Sequence, residues 1–180
     1  MAGHGANRIP LIEVTGAEPL LQPETPALAE KLLAAGCTVM IETSGERFVG
    51  VLPREVIKIV DVKYPDSSEP GAPDTANLEV LDRKDEVKFV MTTRRDTDFA
   101  RDFAKRDRLA ERVHQVLLLP VFADPHGKWL GSDARELANW ILADGLPVRL
   151  GMQLHKLIWI PQGRDPQPIR CPKSRKRSCS

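Results

Sequence analysis

A chain of 180 residues is long enough to enclose one sizeable hydrophobic core and too short for two ordinary domains. Hydrophobic residues make up 42% and charged residues 28%, a globular composition that excludes a disordered, collagen-like or membrane-embedded chain. The net charge of +1 gives no reason to expect a polyanionic partner, but it is unevenly spread: the run RCPKSRKRSCS from Arg170 holds five basic residues and no acid, leaving 21 basic against 25 acidic residues in 1–169. The three cysteines, Cys37, Cys171 and Cys179, are odd in number and form no CxxC pair, so neither a disulfide framework nor a zinc site is expected. The start MAGHGANRIP lacks a charged segment followed by an apolar run. No stretch of about 18 apolar residues occurs, so cytoplasmic residence without a membrane partner is the expectation.

Short Val- and Ile-rich runs alternate with segments of helical spacing, the pattern of βα units around a parallel sheet. The first strand is expected at Pro10–Val14, followed by the loop TGAEP and a helix with Thr25 as N-cap and Pro26 in its first turn. That helix has an apolar face of Leu28, Ala29, Leu32 and Leu33, and Gly36 as its stop. The second strand is Thr38–Glu42, ending in TSG, and the third is Val56–Val62, ending at Lys63. PDSSEPGAPD then reads as a surface loop. The fourth strand, Glu86–Met91, precedes a charged helix over about Asp96–Arg108. The fifth, His114–Leu119, ends in Pro120 and leads to a helix over Ser132–Ala143, with Ser132 as N-cap and Glu136 one place beyond the ideal capping-box spacing. Val148–Gln153 is the last strand, and no internal repeat is evident.

In such folds ligands sit at the carboxyl ends of the strands. Thr15-Gly16-Ala17-Glu18-Pro19 combines small residues with a carboxylate that could take an ammonium group, and Glu42-Thr43-Ser44-Gly45 repeats acid, hydroxyl and glycine one strand later. Each alone is more often a plain strand-to-helix turn. Asp61 and Lys63 share a side of their strand by period-two alternation; facing inward they call for a ligand or a structural ion pair. His155 shares a face with Gln153 but has no catalytic partner at useful spacing, and His4, His114 and His126 have none at ligand spacing.

Taken in order, VTGAEPLLQPETPAL, IETSG, IVDVKYPDSSE, DEVKFV, LANWILADGLPVRL and QLHKLIW resemble 7-carboxy-7-deazaguanine synthase. That family consists of radical S-adenosylmethionine lyases of queuosine biosynthesis, which serves tRNA modification. The resemblance runs from about Ile9 to Pro161. It implies an α/β fold, an incomplete (β/α) barrel of the radical S-adenosylmethionine type over residues 1–161, with 162–180 a disordered basic tail. It implies a homodimer that binds a [4Fe-4S] cluster, S-adenosylmethionine and Mg²⁺, and that converts 6-carboxy-5,6,7,8-tetrahydropterin to 7-carboxy-7-deazaguanine. By the resemblance Thr15 and Pro161 contact the pterin-type substrate. Gly16, Ala17 and Glu18 hold the methionine end of the cofactor, with Glu18 at its ammonium group. Ser44, Asp61, Val62 and Lys63 lie along the cofactor, and Pro120 ends the strand that closes its site.

The departures concern the cluster. The family places three closely spaced cysteines on a loop before the TGGEP-type turn, leaving one iron open to the cofactor; here residues 1–14 contain no cysteine. Cys37, Cys171 and Cys179 are wrongly spaced to replace them, so no metal ligand and no catalytic residue is identifiable. The first βα unit and the hydroxyl residue that would reach Mg²⁺ are expected to be missing with that loop. Ala17 stands where the family has its second glycine, which hinders a positive φ or crowds the cofactor. Tyr64 stands where relatives often carry cysteine. Three functions follow: a synthase fragment inactive as an isolated chain, a binding or regulatory module that has lost the chemistry, and, last, a nucleic-acid binder using the tail. The tail offers salt-sensitive phosphate contacts but no interleaved aromatic residue, so no nucleic-acid partner is expected. The loss would also leave the first strand unpaired on one side.

Overall fold

The structure, a computed structural model, describes residues 10–16, 18–64, 76–122 and 131–158, with only the backbone of His155 and Leu157. Six strands form one all-parallel sheet in sequential order: β1 (Leu11–Val14), β2 (Thr38–Thr43), β3 (Ile57–Asp61), β4 (Glu86–Met91), β5 (Gln115–Pro120) and β6 (Arg149–Leu150). Right-handed crossovers that always step to the next strand in one direction place every connecting helix on the same face. Against that face lie α1 (Thr25–Ala34), α3 (Arg94–Arg106), α4 (Leu109–Arg112) and α5 (Ala134–Ala143). Two short helices, α2 (Ala76–Val80) and α6 (Leu154–Ile158), complete the set with 3-10 turns at Pro19–Leu21 and Val49–Val51. Among the described residues β1 and β6 each have one strand partner, so the sheet is open rather than closed into a barrel.

Alternation then sorts the side chains. Val39 and Ile41 of β2, Val87, Phe89 and Met91 of β4, and Val116 and Leu118 of β5 are buried beneath the helices. A fully buried side chain of this size contributes about 1.5–3 kcal/mol. The charged helix α3 keeps a narrow apolar stripe: Phe103 packs edge-on against Phe89 with ring centroids 5.7 Å apart, and Phe99 links it to Tyr64 at 5.6 and 5.1 Å. Its acidic and basic face ties α3 to α5, where Asp144 accepts from Arg94 at 2.6 Å. The opposite face of the sheet is polar. Register sets Glu42, Ile59, Glu86 and Gln115 in one row and Asp61, Lys88, Leu117 and Arg149 in the next.

The expected strands all exist, with ends shifted by a residue or two except for the last. Val148–Gln153 pairs only over Arg149–Leu150, and Leu154–Ile158 is helical. Two expected caps are corrected for one physical reason, the diversion of a hydroxyl to a tertiary partner. Thr25 gives its proton to Pro19 O at 2.6 Å and lies within α1 behind Glu24. Ser132 gives its proton to Met91 O at 2.7 Å, so Asp133 caps α5 by accepting from Arg135 N at 2.8 Å. The expected start at Asp96 is the third position of a capping box whose cap is Thr93. The helix expected through Arg108 stops at Arg106, and Arg108 turns the chain into α4 with φ +53°. Short helices α2 and α4 were not expected. The loop PDSSEPGAPD, Ala17, Pro161 and the tail with Cys171 and Cys179 lie outside the described residues.

At the amino end of the sheet Lys58 and Asp85 are buried together, 4% and 0% exposed. Asp85 accepts from Lys58 N at 2.9 Å, Asp82 N at 3.0 Å and Lys84 Nζ at 3.1 Å, with the Lys58 ammonium 3.8 Å away. Burial pushes the Lys58 ammonium below its ordinary pKa, and Asp85 offsets only part of that. Removing one member of a buried pair strands the other charge, at a cost of about 3–5 kcal/mol. Asp85→Ala is therefore expected to lower stability by about that amount, measured by urea unfolding. Lys58→Met leaves Asp85 with its amide and Lys84 donors and loses less; equal losses for the two variants would contradict this account.

Candidate functional site

Four of the strands present the sequence-predicted residues at their carboxyl ends. β1 ends at Val14, with Thr15 and Gly16 exposed just beyond it and an open space where a Gly16 side chain would project. The next described residue is Glu18, buried to 9% exposure at the head of the Pro19–Leu21 turn. Its carboxylate is the centre of the site. Oε1 accepts from Leu20 N at 2.8 Å, while Oε2 accepts from Thr43 Oγ1 at 2.6 Å, Ser44 N at 2.9 Å and Ser44 Oγ at 2.5 Å. Burial is the largest single influence on Glu18 and raises its pKa. The hydrogen bonds from Ser44, Thr43 and Leu20 together outweigh it and hold the carboxyl below its ordinary pKa. Each carboxylate oxygen offers about two acceptor positions, and among the described residues Oε1 takes only Leu20 N, so it keeps one position for a further donor.

The loop after β2 is built to deliver those donors. Gly45 has φ +78°, and a Cβ there would sit 2.6 Å from Asp61 O, so only glycine lets the loop lie against the end of β3. Gly45 N donates to Thr43 Oγ1 at 3.2 Å, which leaves the Thr43 proton for Glu18. From β3, Lys63 reaches the same loop and pairs with Glu46 at 3.0 Å. The sequence reading set Asp61 and Lys63 on one side of a strand; the strand ends at Asp61, and Lys63, beyond it, makes an ion pair with Glu46. Asp61 stands in register with Lys88, and Val62 is buried with its amide donating to Lys88 O at 2.8 Å. Pro120 ends β5, buried and in register with Met91. Thr15, Gly16, Glu18, Ser44, Asp61, Val62, Lys63 and Pro120 therefore share one edge of the sheet, and Glu18 and Ser44 are in direct contact.

Three groups here escaped the sequence reading. Thr43 reads as one hydroxyl in a turn motif, and its role appears only through contact with Glu18, 25 residues away. Lys88 forms an ion pair with Glu42 on the polar face of the sheet. Glu13, hydrogen-bonded to Glu42, is raised above its ordinary pKa, first by burial and then by the Glu42 charge. Period-two alternation in IEVT, VMIET and VKFVM could have placed Glu13, Glu42 and Lys88 on one face.

Cys37 lies between α1 and β2, at the amino end of the sheet and across it from this edge. Among the described residues no three His, Cys, Asp or Glu side chains converge where a metal ion could sit. The residues present thus do not fit an iron-sulfur cluster, whereas the open acceptor on Glu18 fits an ammonium group. No helix among them is long and apolar enough to cross a membrane.

No protein-family model matches the chain. Among curated proteins it is 47% identical over 158 residues to a 7-carboxy-7-deazaguanine synthase of Koribacter versatilis, covering 84% of this chain and 70% of that one. It is 33% identical over 158 residues to the protein of that name from Chlorobaculum tepidum, covering 86% and 68%. It is 35% identical over 152 residues to the one from Methanospirillum hungatei, covering 82% and 58%. Among solved structures, QueE from Escherichia coli superposes with a TM-score of 0.56 at 21% identity, over 80% of this chain and 56% of that one. SuiB from Streptococcus suis gives the same TM-score at 11% identity, over 79% and 39%. These two likenesses concern the fold.

The Glu18 arrangement yields a signed pH prediction. A carboxyl held below its ordinary pKa by native contacts stabilises the fold above its unfolded value of about 4.3, and that contribution is lost as pH falls through the lower native value. Glu18→Gln leaves buried donors unmatched and is expected to cost about 1–3 kcal/mol near neutral pH. The gap to the wild type should shrink below about pH 4. Urea titrations of both proteins at pH 7 and pH 3 check this, and an undiminished gap at pH 3 contradicts it.

Proposed function

The chain belongs to the 7-carboxy-7-deazaguanine synthase family of radical S-adenosylmethionine lyases, and on that premise we propose that it carries the family's S-adenosylmethionine cradle and does not complete the reaction by itself. The family acts on a small-molecule substrate, converting 6-carboxy-5,6,7,8-tetrahydropterin to 7-carboxy-7-deazaguanine. The single observation behind the reading is the Glu18 carboxylate: ionised, 9% exposed, and held by neutral donors with acceptor capacity left on Oε1. An anion satisfied by neutral groups keeps its charge, and the ammonium of a methionine moiety is a cation that can use it.

In this reading Gly16, Ala17 and Glu18 receive the methionine end. Ser44 and the Asp61-Val62-Lys63 stretch line the rest of the cofactor, and Pro120 closes that end. Thr15 faces the pterin-type substrate, which Pro161 approaches from outside the described residues. When bound, the cofactor and its cluster supply the one-electron chemistry, with Mg²⁺ as the family's further ion. The protein residues position, orient and exclude water. The cysteine triad that such a cluster requires has no counterpart before Thr15, so no step is assigned through it, and Ala17 in place of glycine weakens the turn's approach to the cofactor. Family membership also supports a homodimer and cytoplasmic residence. The second reading is a binding or regulatory module that retains the barrel framework, which Ala17 in place of the family's second glycine favours.

Anaerobic reconstitution with iron and sulfide, together with calorimetric titration of S-adenosylmethionine, decides the matter. Expected are binding of S-adenosylmethionine that weakens at least tenfold in Glu18→Ala, and no stoichiometric cluster or reductive cleavage of the cofactor by the chain alone. Stoichiometric cluster formation with cleavage would overturn the inactivity. Absence of cofactor binding would overturn the cradle, and product formation on adding a cysteine-bearing partner polypeptide would exclude the module reading.

A further inference from the structure

We propose that Asn77 is a positioning residue of the Glu18 site: from α2 it clamps the loop that carries Ser44 onto the carboxylate. The side chain is 1% exposed, and all its partners are backbone groups of that loop. Its Oδ1 accepts from Val49 N at 2.8 Å, and its Nδ2 donates to Gly45 O at 2.9 Å and Arg47 O at 3.0 Å. One buried amide thus fixes three points over five residues, beginning at the residue after Ser44. A buried donor or acceptor left without its partner is costly, so the loop cannot drift from Asn77 without a substantial loss.

The loop is held from three sides, and the three restraints differ in kind. On the β1 side Ser44 meets Glu18 through both its amide and its hydroxyl. On the β3 side Gly45 leaves no room for a side chain against Asp61 O, and Lys63 pairs with a Glu46 that is 36% exposed. A half-exposed ion pair contributes little and is screened by salt. Asn77 is the buried, neutral restraint, and among the described residues its own hydrogen bonds go to the loop and neither to β1 nor to Glu18. It touches the backbone that carries Ser44 and leaves the reacting groups to others. The proposal rests on reading Glu18 as the cation-binding group, yet its test needs no cofactor.

The experiment is a ¹³C-detected NMR titration of the glutamate carboxyls in the full chain, comparing the wild type with Asn77→Ala. Release of Ser44 removes two donors from Oε2, so the Glu18 carboxyl of the variant should titrate about one pH unit higher than in the wild type. Amide exchange at Ser44 and Val49 should quicken at least tenfold, with Val87 and Val116 unchanged. Leu137→Ala, in the core beneath α5, lowers global stability without touching the loop and should leave the Glu18 titration in place. If Asn77→Ala does not fold, Asn77→Ser keeps a small polar group in the same space and is read the same way. A Glu18 titration unmoved in the Asn77 variant, or moved equally in Leu137→Ala, overturns the proposal, as does an ordinary titration in the wild type. Movement with Asn77 in a chain that fails to bind S-adenosylmethionine upholds the clamp and removes the cofactor reading instead.

Discussion

The carboxylate of Glu18 joins segments that the sheet's own hydrogen bonds do not. Parallel pairing aligns β1 with β2 through Val14 and Ile41, but beyond that row β1 ends while β2 runs on to Thr43 against β3, so no ladder joins the segments that follow the two strands. Glu18 closes the gap by accepting from Thr43 and Ser44 on one side and from Leu20 of its own turn on the other. The Pro19–Leu21 turn and the 44–49 loop therefore form one unit. The geometry depends on charge: a neutral carboxyl would present a donor where Oε2 receives three, so the unit and the ionised state of Glu18 support each other.

The sequential strand order also decides which face of the sheet the helices cover. Because each crossover steps the same way, helices cover only one side of the sheet. The opposite side carries Glu42, Lys88, Asp61 and Arg149 in adjoining rows. A layered α/β protein with helices on both sides would bury apolar residues there. Here those rows mix charged residues with Ile59 and Leu117, while Thr43, which bonds Glu18, stands on the helix-covered face with Ile41. The two solved structures with a TM-score of 0.56 share this fold within larger chains.

Much of this was legible in the sequence because it rests on local periodicity. VMIET, VKFVM and QVLLLP announce strands by composition, and glycine and proline mark their ends. The placement of the candidate residues was legible for a related reason, since each motif follows a strand and therefore stands at the carboxyl end of the sheet. What was not legible rests on contacts between distant segments. Thr25 and Ser132 look like caps, and only the presence of Pro19 O and Met91 O nearby diverts them. Asn77 sits in a five-residue helix after a Pro- and Gly-rich run, and its three partners lie 28 to 32 residues earlier. Lys58 alternates correctly as a helix-facing position and was unremarkable until Asp85 was found beneath it.

The two buried charged groups at opposite ends of the sheet show why only one end is suited to chemistry. At the amino end Asp85 and Asp82 meet Lys58 and Lys84, and the charges cancel within the protein. Such a cluster exerts little field at a distance and has nothing to offer a charged ligand, so its effect is confined to stability. At the carboxyl end Glu18 meets hydroxyls and amides, which stabilise the anion without neutralising it. Its charge remains available at short range in a poorly solvated setting, where an electrostatic interaction is worth more than in water. A cation reaching Oε1 would gain that interaction without having to displace an internal partner. Two buried carboxylates of the same chain thus have opposite consequences, and the difference lies in whether the partner is a charge or a dipole.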